Sequence, residues 1–137
     1  MTSGVYSDSA TWAAAIVHAF NCPESEREEA FLQLYNKDVV VTADKNRMNW
    51  DEFLAYVKNI TDVVTRVDLT VHHWVTDGKL FASLHTTHAD MKDGSKTSVY
   101  NMAMGEIGED GKAKWIEERT QFLEGENPNE GNGGGKE

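Results

Sequence analysis

Glu118, His85 and His73 are ionisable side chains on otherwise apolar faces of a 137-residue sequence. Between Trp115 and Phe122, the residues Ile116, Glu118, Thr120 and Phe122 alternate with Trp115, Glu117, Arg119 and Gln121. Successive side chains of a strand point to opposite faces, and Ile116 and Phe122 mark the first set as the inner one. Glu118 is then a carboxyl among apolar groups. Desolvation raises its pKa and suits it to general acid/base catalysis. The same alternation puts His85 with Phe81, Ser83 and Thr87, and His73 with Val67, Leu69, Val71 and Val75. Imidazole titrates near neutrality and can pass a proton to or from an enolisable carbon or a hydroxyl. Each has a plainer reading: a solvated edge glutamate paired with Arg119 or a lysine, and histidines satisfied within a core.

Tyr100, Met102 and Met104 share one face of the preceding strand. They read as cavity lining for a flat hydrophobic ligand, with Tyr100 as an orienting hydroxyl, or as packing between sheets in a dimer. Thr87, Phe53 and Trp12 complete the expected ligand-contacting set. His72 and His88 fall on the opposite strand faces. His85-x-x-His88 is no metal pair, because that spacing turns the two rings apart on a regular strand. No phosphate-cradling glycine loop, nucleophile elbow or Cys/His ligand set occurs, so neither metal nor other cofactor is expected.

The elements that must position these groups follow from periodicity. Asp8 or Ser9 caps a helix reaching about Phe20, whose stripe is Trp12, Ile16 and Phe20. Asn21-Cys22-Pro23 ends it. Ser25-x-x-Glu28 reads as a capping box for a second helix through about Tyr35, running almost directly into a strand from Asp38 to Thr42. Asn49-x-x-Glu52 opens a third helix that buries Phe53, Leu54, Val57 and Ile60. From Val67 the period becomes two. Asp77-Gly78, Asp93-Gly94 and Asp110-Gly111 separate the alternating segments, which is the signature of an antiparallel meander. Helices first and a meander afterwards form a cup: an α+β fold of helices on a strongly curved antiparallel sheet. Residues 1–7 are expected to be a flexible N-terminus, 8–123 one domain, and 124–137 a disordered acidic, glycine-rich tail that lacks large apolar groups.

Composition narrows the function classes. A net charge of −10 argues against a nucleic-acid surface. No apolar run is long enough to cross a bilayer, and no secretory leader is apparent. The lone Cys22 excludes an internal disulfide and fits a reducing, cytoplasmic setting.

The run Leu34-Tyr35-Asn36-Lys37-Asp38-Val39-Val40-Val41, the Asp110-Gly111-Lys112 turn and Ile116-Glu117-Glu118 in the last strand resemble the nuclear transport factor 2-like superfamily, in its SnoaL-like branch. The resemblance spans roughly residues 8 to 123. It implies a conical cavity in an α+β barrel and frequently a homodimer through the sheet. Its functions range from isomerases, cyclases and dehydratases to silent binding domains, so fold leaves function open. Glu118 falls where the similar limonene epoxide hydrolases carry a catalytic aspartate. His85 and Thr87 fall where those enzymes have Arg and Asp, so their carboxylate-bridging pair is missing. The acid common in the penultimate strand of SnoaL-like cyclases is replaced by Ala103 or Met104. These residues together suggest a cofactor-free enzyme that isomerises, dehydrates or cyclises a small hydrophobic metabolite, with Glu118, His85 and His73 as proton-transfer groups. The alternative is a non-catalytic small-ligand-binding or dimerisation domain of the same fold.

Overall fold

The computed structural model describes residues 4–130. Helices α1 (Ser9–Asn21), α2 (Glu24–Leu32) and α3 (Trp50–Thr61) pack on one face of a sheet. The strands are β1 (Tyr35–Ala43), β2 (Asn46–Met48), β3 (Val64–Thr76), β4 (Leu80–Met91), β5 (Lys96–Ile107) and β6 (Ala113–Glu124). Their order is β2-β1-β6-β5-β4-β3. The long strands β3 to β6 form the expected antiparallel meander, joined by the three Asp-Gly turns with glycine in the left-handed region at each. β1 adds to β6 in parallel, and β2 folds back on β1.

Local chemistry explains the helix ends. The Asp8 carboxylate accepts the Thr11 amide at 2.7 Å and caps α1. Asn49 and Glu52 form a reciprocal capping box on α3, satisfying two amides that the helix leaves unpaired. The box expected at Ser25 does not form. α2 begins at Glu24, directly after Pro23, and Glu28 instead accepts the Trp50 indole N–H at 2.9 Å. α2 also stops at Leu32, earlier than its sequence pattern implied. Leu34 and Tyr35 are drawn into the sheet, where Ala113 N–H donates to the Leu34 carbonyl at 2.8 Å.

The core lies between the helices and the inner sheet face. Phe31, Leu34, Val39, Val57 and Phe81 are almost wholly buried there. Burial of a side chain such as Phe31 contributes about 2–3 kcal/mol. Phe31 meets Phe20 and Phe53 edge-on, the arrangement aromatic quadrupoles favour. The N-terminal segment is not uniformly free: Tyr6 is buried, packs on Phe81 and donates its hydroxyl to the Leu34 carbonyl at 2.8 Å. The expected tail is likewise ordered in part, since Pro128–Glu130 forms a 3-10 turn beside α3. Residues 1–3 and 131–137, where those expectations also fell, lie outside the described residues.

One irregularity changes which side chains face inward. Val71 pairs with His85, but His73 pairs with Leu84, so His72 is an extra residue in β3. A bulge of this kind reverses the alternation beyond it. Val67 and Leu69 line the cavity, Val71 packs against the core, and after the bulge Trp74 takes over, stacked on Phe81.

Candidate functional site

The helices and the inner face of β3 to β6 enclose a cavity of about 160 Å³. Its walls are mostly aromatic and aliphatic, among them Phe31, Phe53, Val67, Leu69 and Phe122. Among the described residues no lysine or arginine lines it. Polar groups are gathered on β4, β5 and β6, where they form short hydrogen-bonded chains.

The first chain crosses three strands. Thr87 Oγ1 donates to Asn101 Oδ1 at 2.8 Å, and Asn101 Nδ2 donates to Glu118 Oε2 at 2.6 Å. The threonine thus fixes which end of the amide faces the carboxylate. Glu118 is enclosed by protein and keeps only the limited accessible surface of a cavity-lining group. Burial pushes its pKa up to about 7, against the Asn101 hydrogen bond, which favours the ionised form, and with the nearby Asp44 charge, which disfavours it. Asp44 occupies the left-handed region at φ 55. Its amide donates to the Glu118 carbonyl at 2.9 Å, and its carboxylate accepts the Thr120 amide and hydroxyl. The turn after β1 therefore fastens the backbone on the C-terminal side of Glu118, at its carbonyl and at Thr120.

The second chain lies on β4. His85 is 5% exposed, and its Nδ1 lies 2.9 Å from Ser83 Oγ. Trp12 of α1 meets the imidazole edge-on with ring centres 5.1 Å apart. Burial, and secondarily the charge of His72, bring the His85 pKa down to about 4. The ring is neutral at physiological pH. When the serine hydroxyl donates to Nδ1, the ring hydrogen sits on Nε2, which has no hydrogen-bond partner among the described residues. His85 lies directly opposite Asn101 and Glu118 opposite Ala103, so the two are separated by two strand spacings and a two-residue step, on the order of 12 Å between backbones.

The structure brings Glu118, His85, Thr87, Phe53 and Trp12 to this cavity. It does not bring His73, Tyr100, Met102 or Met104 there. His73 is exposed on the outer face because the His72 bulge reverses the parity of β3, and Val75, its supposed inner neighbour, is 65% exposed. On β5 the inward set is Thr97, Val99, Asn101 and Ala103. Tyr100 stacks on His72 outside, and Met102 and Met104 are exposed. Sequence reading missed Asn101 and Tyr35. Asn101 was hidden because its strand neighbours Tyr100, Met102 and Met104 are the bulkier, more apolar set. Tyr35 could have been suspected from its place at the helix-to-strand junction. It lines the cavity, and burial, with the Glu118 charge second, raises its pKa, so its phenol keeps its proton. Among the described residues no cluster of His, Cys, Asp or Glu is able to hold a metal ion.

The sequence matches no known family profile and no curated protein. Solved structures match its fold. An NTF2-like protein of unknown function from Exiguobacterium sp. 255-15 superposes with a TM-score of 0.65 at 12% identity, covering 79% of this chain and 96% of that one. IdmH from Streptomyces antibioticus, described as a candidate polyketide cyclase, gives 0.64 at 16% identity over 79% of this chain and 88% of its own. A candidate SnoaL-like polyketide cyclase from Shewanella denitrificans OS-217 gives 0.64 at 11% identity over 82% and 89%. At such identities the likeness establishes the fold.

Proposed function

From a chain with the NTF2-like fold in its SnoaL-like form, we propose a cofactor-free enzyme that moves a proton on a small, neutral, mainly apolar metabolite, in an isomerisation, dehydration or cyclisation. The observation that carries this reading is Glu118: a carboxyl in an apolar cavity, with one oxygen held by Asn101 and a pKa of about 7. Near neutrality such a group is poised both to accept and to return a proton. Glu118 Oε1 takes a proton from an acidic carbon. The neutral His85 donates its Nε2 hydrogen to the oxygen on which negative charge develops, as a preorganised dipole in a dry site. Tyr35 is a second uncharged donor beside the carboxylate. The absence of a lysine or arginine from the lining among the described residues favours neutral ligands over carboxylates and phosphates.

Exchange of α-hydrogens for deuterium in a panel of small cyclic ketones tests this directly. Wild-type protein should accelerate exchange of at least one member, with activity rising through about pH 7. Glu118→Gln should lose it by about 100-fold or more. If the panel exchanges equally fast with either protein, the enzymatic reading fails. A binding domain is then favoured by the mutual pairing of the polar groups, which leaves few of them free for a ligand.

We further propose that a second copy covers the outer sheet face. Met102 and Val75 stand 55% and 65% exposed there. Glu117 and Arg119 flank the methionines, paired across the strands with Met104 and Met102. A two-fold axis would set each charge against its opposite. The free thiol of Cys22 supports a reducing, cytoplasmic location for the assembly, and no described helix is long and apolar enough to cross a membrane.

A further inference from the structure

The chain that leaves β6 does not run away from the cavity. It bends at Gly125 and returns across the gap between β6 and α3. Asn127 and Pro128 line the same cavity as Glu118, facing Tyr56 and Ile60 of α3. The bend requires glycine: Gly125 has φ 85, and a Cβ there would run into the Thr97 side chain. Beyond it Asn129 ties the segment to α3. Asn129 accepts from Asn59 Nδ2 at 2.8 Å and donates to the Tyr56 carbonyl at 3.3 Å. Its own amide donates to Asn127 Oδ1 at 2.8 Å, so the cavity-lining and anchoring residues move together.

The neighbouring walls are held very differently. β4, β5 and β6 are joined by continuous ladders, and the helices bury their apolar faces. Residues 125–129 bury no large apolar side chain and form no ladder. A segment with few buried contacts and a few hydrogen bonds opens at a small fraction of the cost of global unfolding. We propose that residues 125–130 are a gate to the cavity, with Asn129 as its latch, and that Asn127 and Pro128 limit the length of ligand the closed cavity accepts. This takes the cavity as the ligand site of the preceding reading but is independent of any chemistry at Glu118.

The neutral fluorophore N-phenyl-1-naphthylamine reports access to the cavity. Its uptake by the full chain, followed by stopped flow, should quicken about tenfold in Asn129→Ala, the change in open population expected when hydrogen bonds of ordinary net strength are lost. Gly125→Ala, which cannot keep the bend, should quicken it similarly, and so should a chain ending at Glu124. A chain ending at Glu130 should behave as wild type. Unchanged uptake in both Asn129→Ala and the chain ending at Glu124 overturns the gate. The proton-transfer reading fails separately, through ketone exchange that Glu118→Gln does not alter.

Discussion

β4 to β6 carry the same residue types on their two faces, and the faces differ in what surrounds them. Inside, Glu118 and His85 are enclosed, each bonded to a neutral partner, Asn101 and Ser83. Outside, Glu117 and His88 are exposed, and His88 bonds Thr70 at 3.1 Å. One step along β6 separates the two glutamates, and three along β4 separate the two histidines. Desolvation therefore shifts the pKa values of Glu118 and His85, and strand parity selects which residues receive it. The inner face encloses its polar groups at a cost in stability, while the outer face leaves apolar groups uncovered.

The largest expected effect is on stability. Below pH 4.5 Glu118 is protonated in folded and unfolded chains alike. As pH rises from 4.5 to about 7, the unfolded chain ionises first and stability falls; above that the deficit is constant. Glu118→Gln should remove it, stabilising the protein at pH 8 by up to about 3 kcal/mol, whereas Glu117→Gln should change little. Urea unfolding at pH 4 and pH 8 measures both. Equal pH profiles for the two variants would erase the contrast between the faces.

His85 works in the opposite direction. Its folded pKa is depressed to about 4, so the stability present above pH 6.5 is lost as pH falls from 6.5 to 4, because only the unfolded chain takes up the proton. His85→Phe should abolish that acid-side loss. His85→Ala should also slow ketone exchange by about 10- to 100-fold, against less than twofold for His73→Ala on the outer face.

Asn101→Leu removes the donor that favours ionised Glu118. The midpoint of the pH–activity curve should move upward from about 7 by about one unit, the worth of one hydrogen bond to a charged group. A downward move would refute the role given to Asn101. The smallest catalytic effect belongs to the outer face: Met102→Lys should weaken self-association at least tenfold in sedimentation equilibrium while leaving exchange per chain within twofold.

Much of the fold was legible from local signals. The Asp-Gly turns, the Asn49 capping box and the alternation in β4 and β6 each report a short-range preference that tertiary packing did not overrule. Those alternations were also enough to turn Glu118, His85 and Thr87 inward together. The reading failed for β5, where bulk was taken as a sign of burial. Inside, Phe31, Phe53 and Phe81 supply the bulky walls of the cavity, the small set of Thr97, Asn101 and Ala103 lines it with them, and the methionines go outside. That apolar residues lie inside is a one-way rule.

By itself, the sequence determined the periods, the turns and the types of residue available for proton transfer, because these depend on neighbours a few positions apart. The tertiary structure decided the rest. Pairing register across β3 and β4 placed the bulge at His72 and so expelled His73. Contacts between residues 17 to 76 positions apart, Asn101 with Glu118, Asp44 with Thr120, Asn129 with Tyr56, assembled the site and its covering segment. The Glu118 carboxyl has its pKa raised only because distant chain removes its water, and no local pattern encodes that.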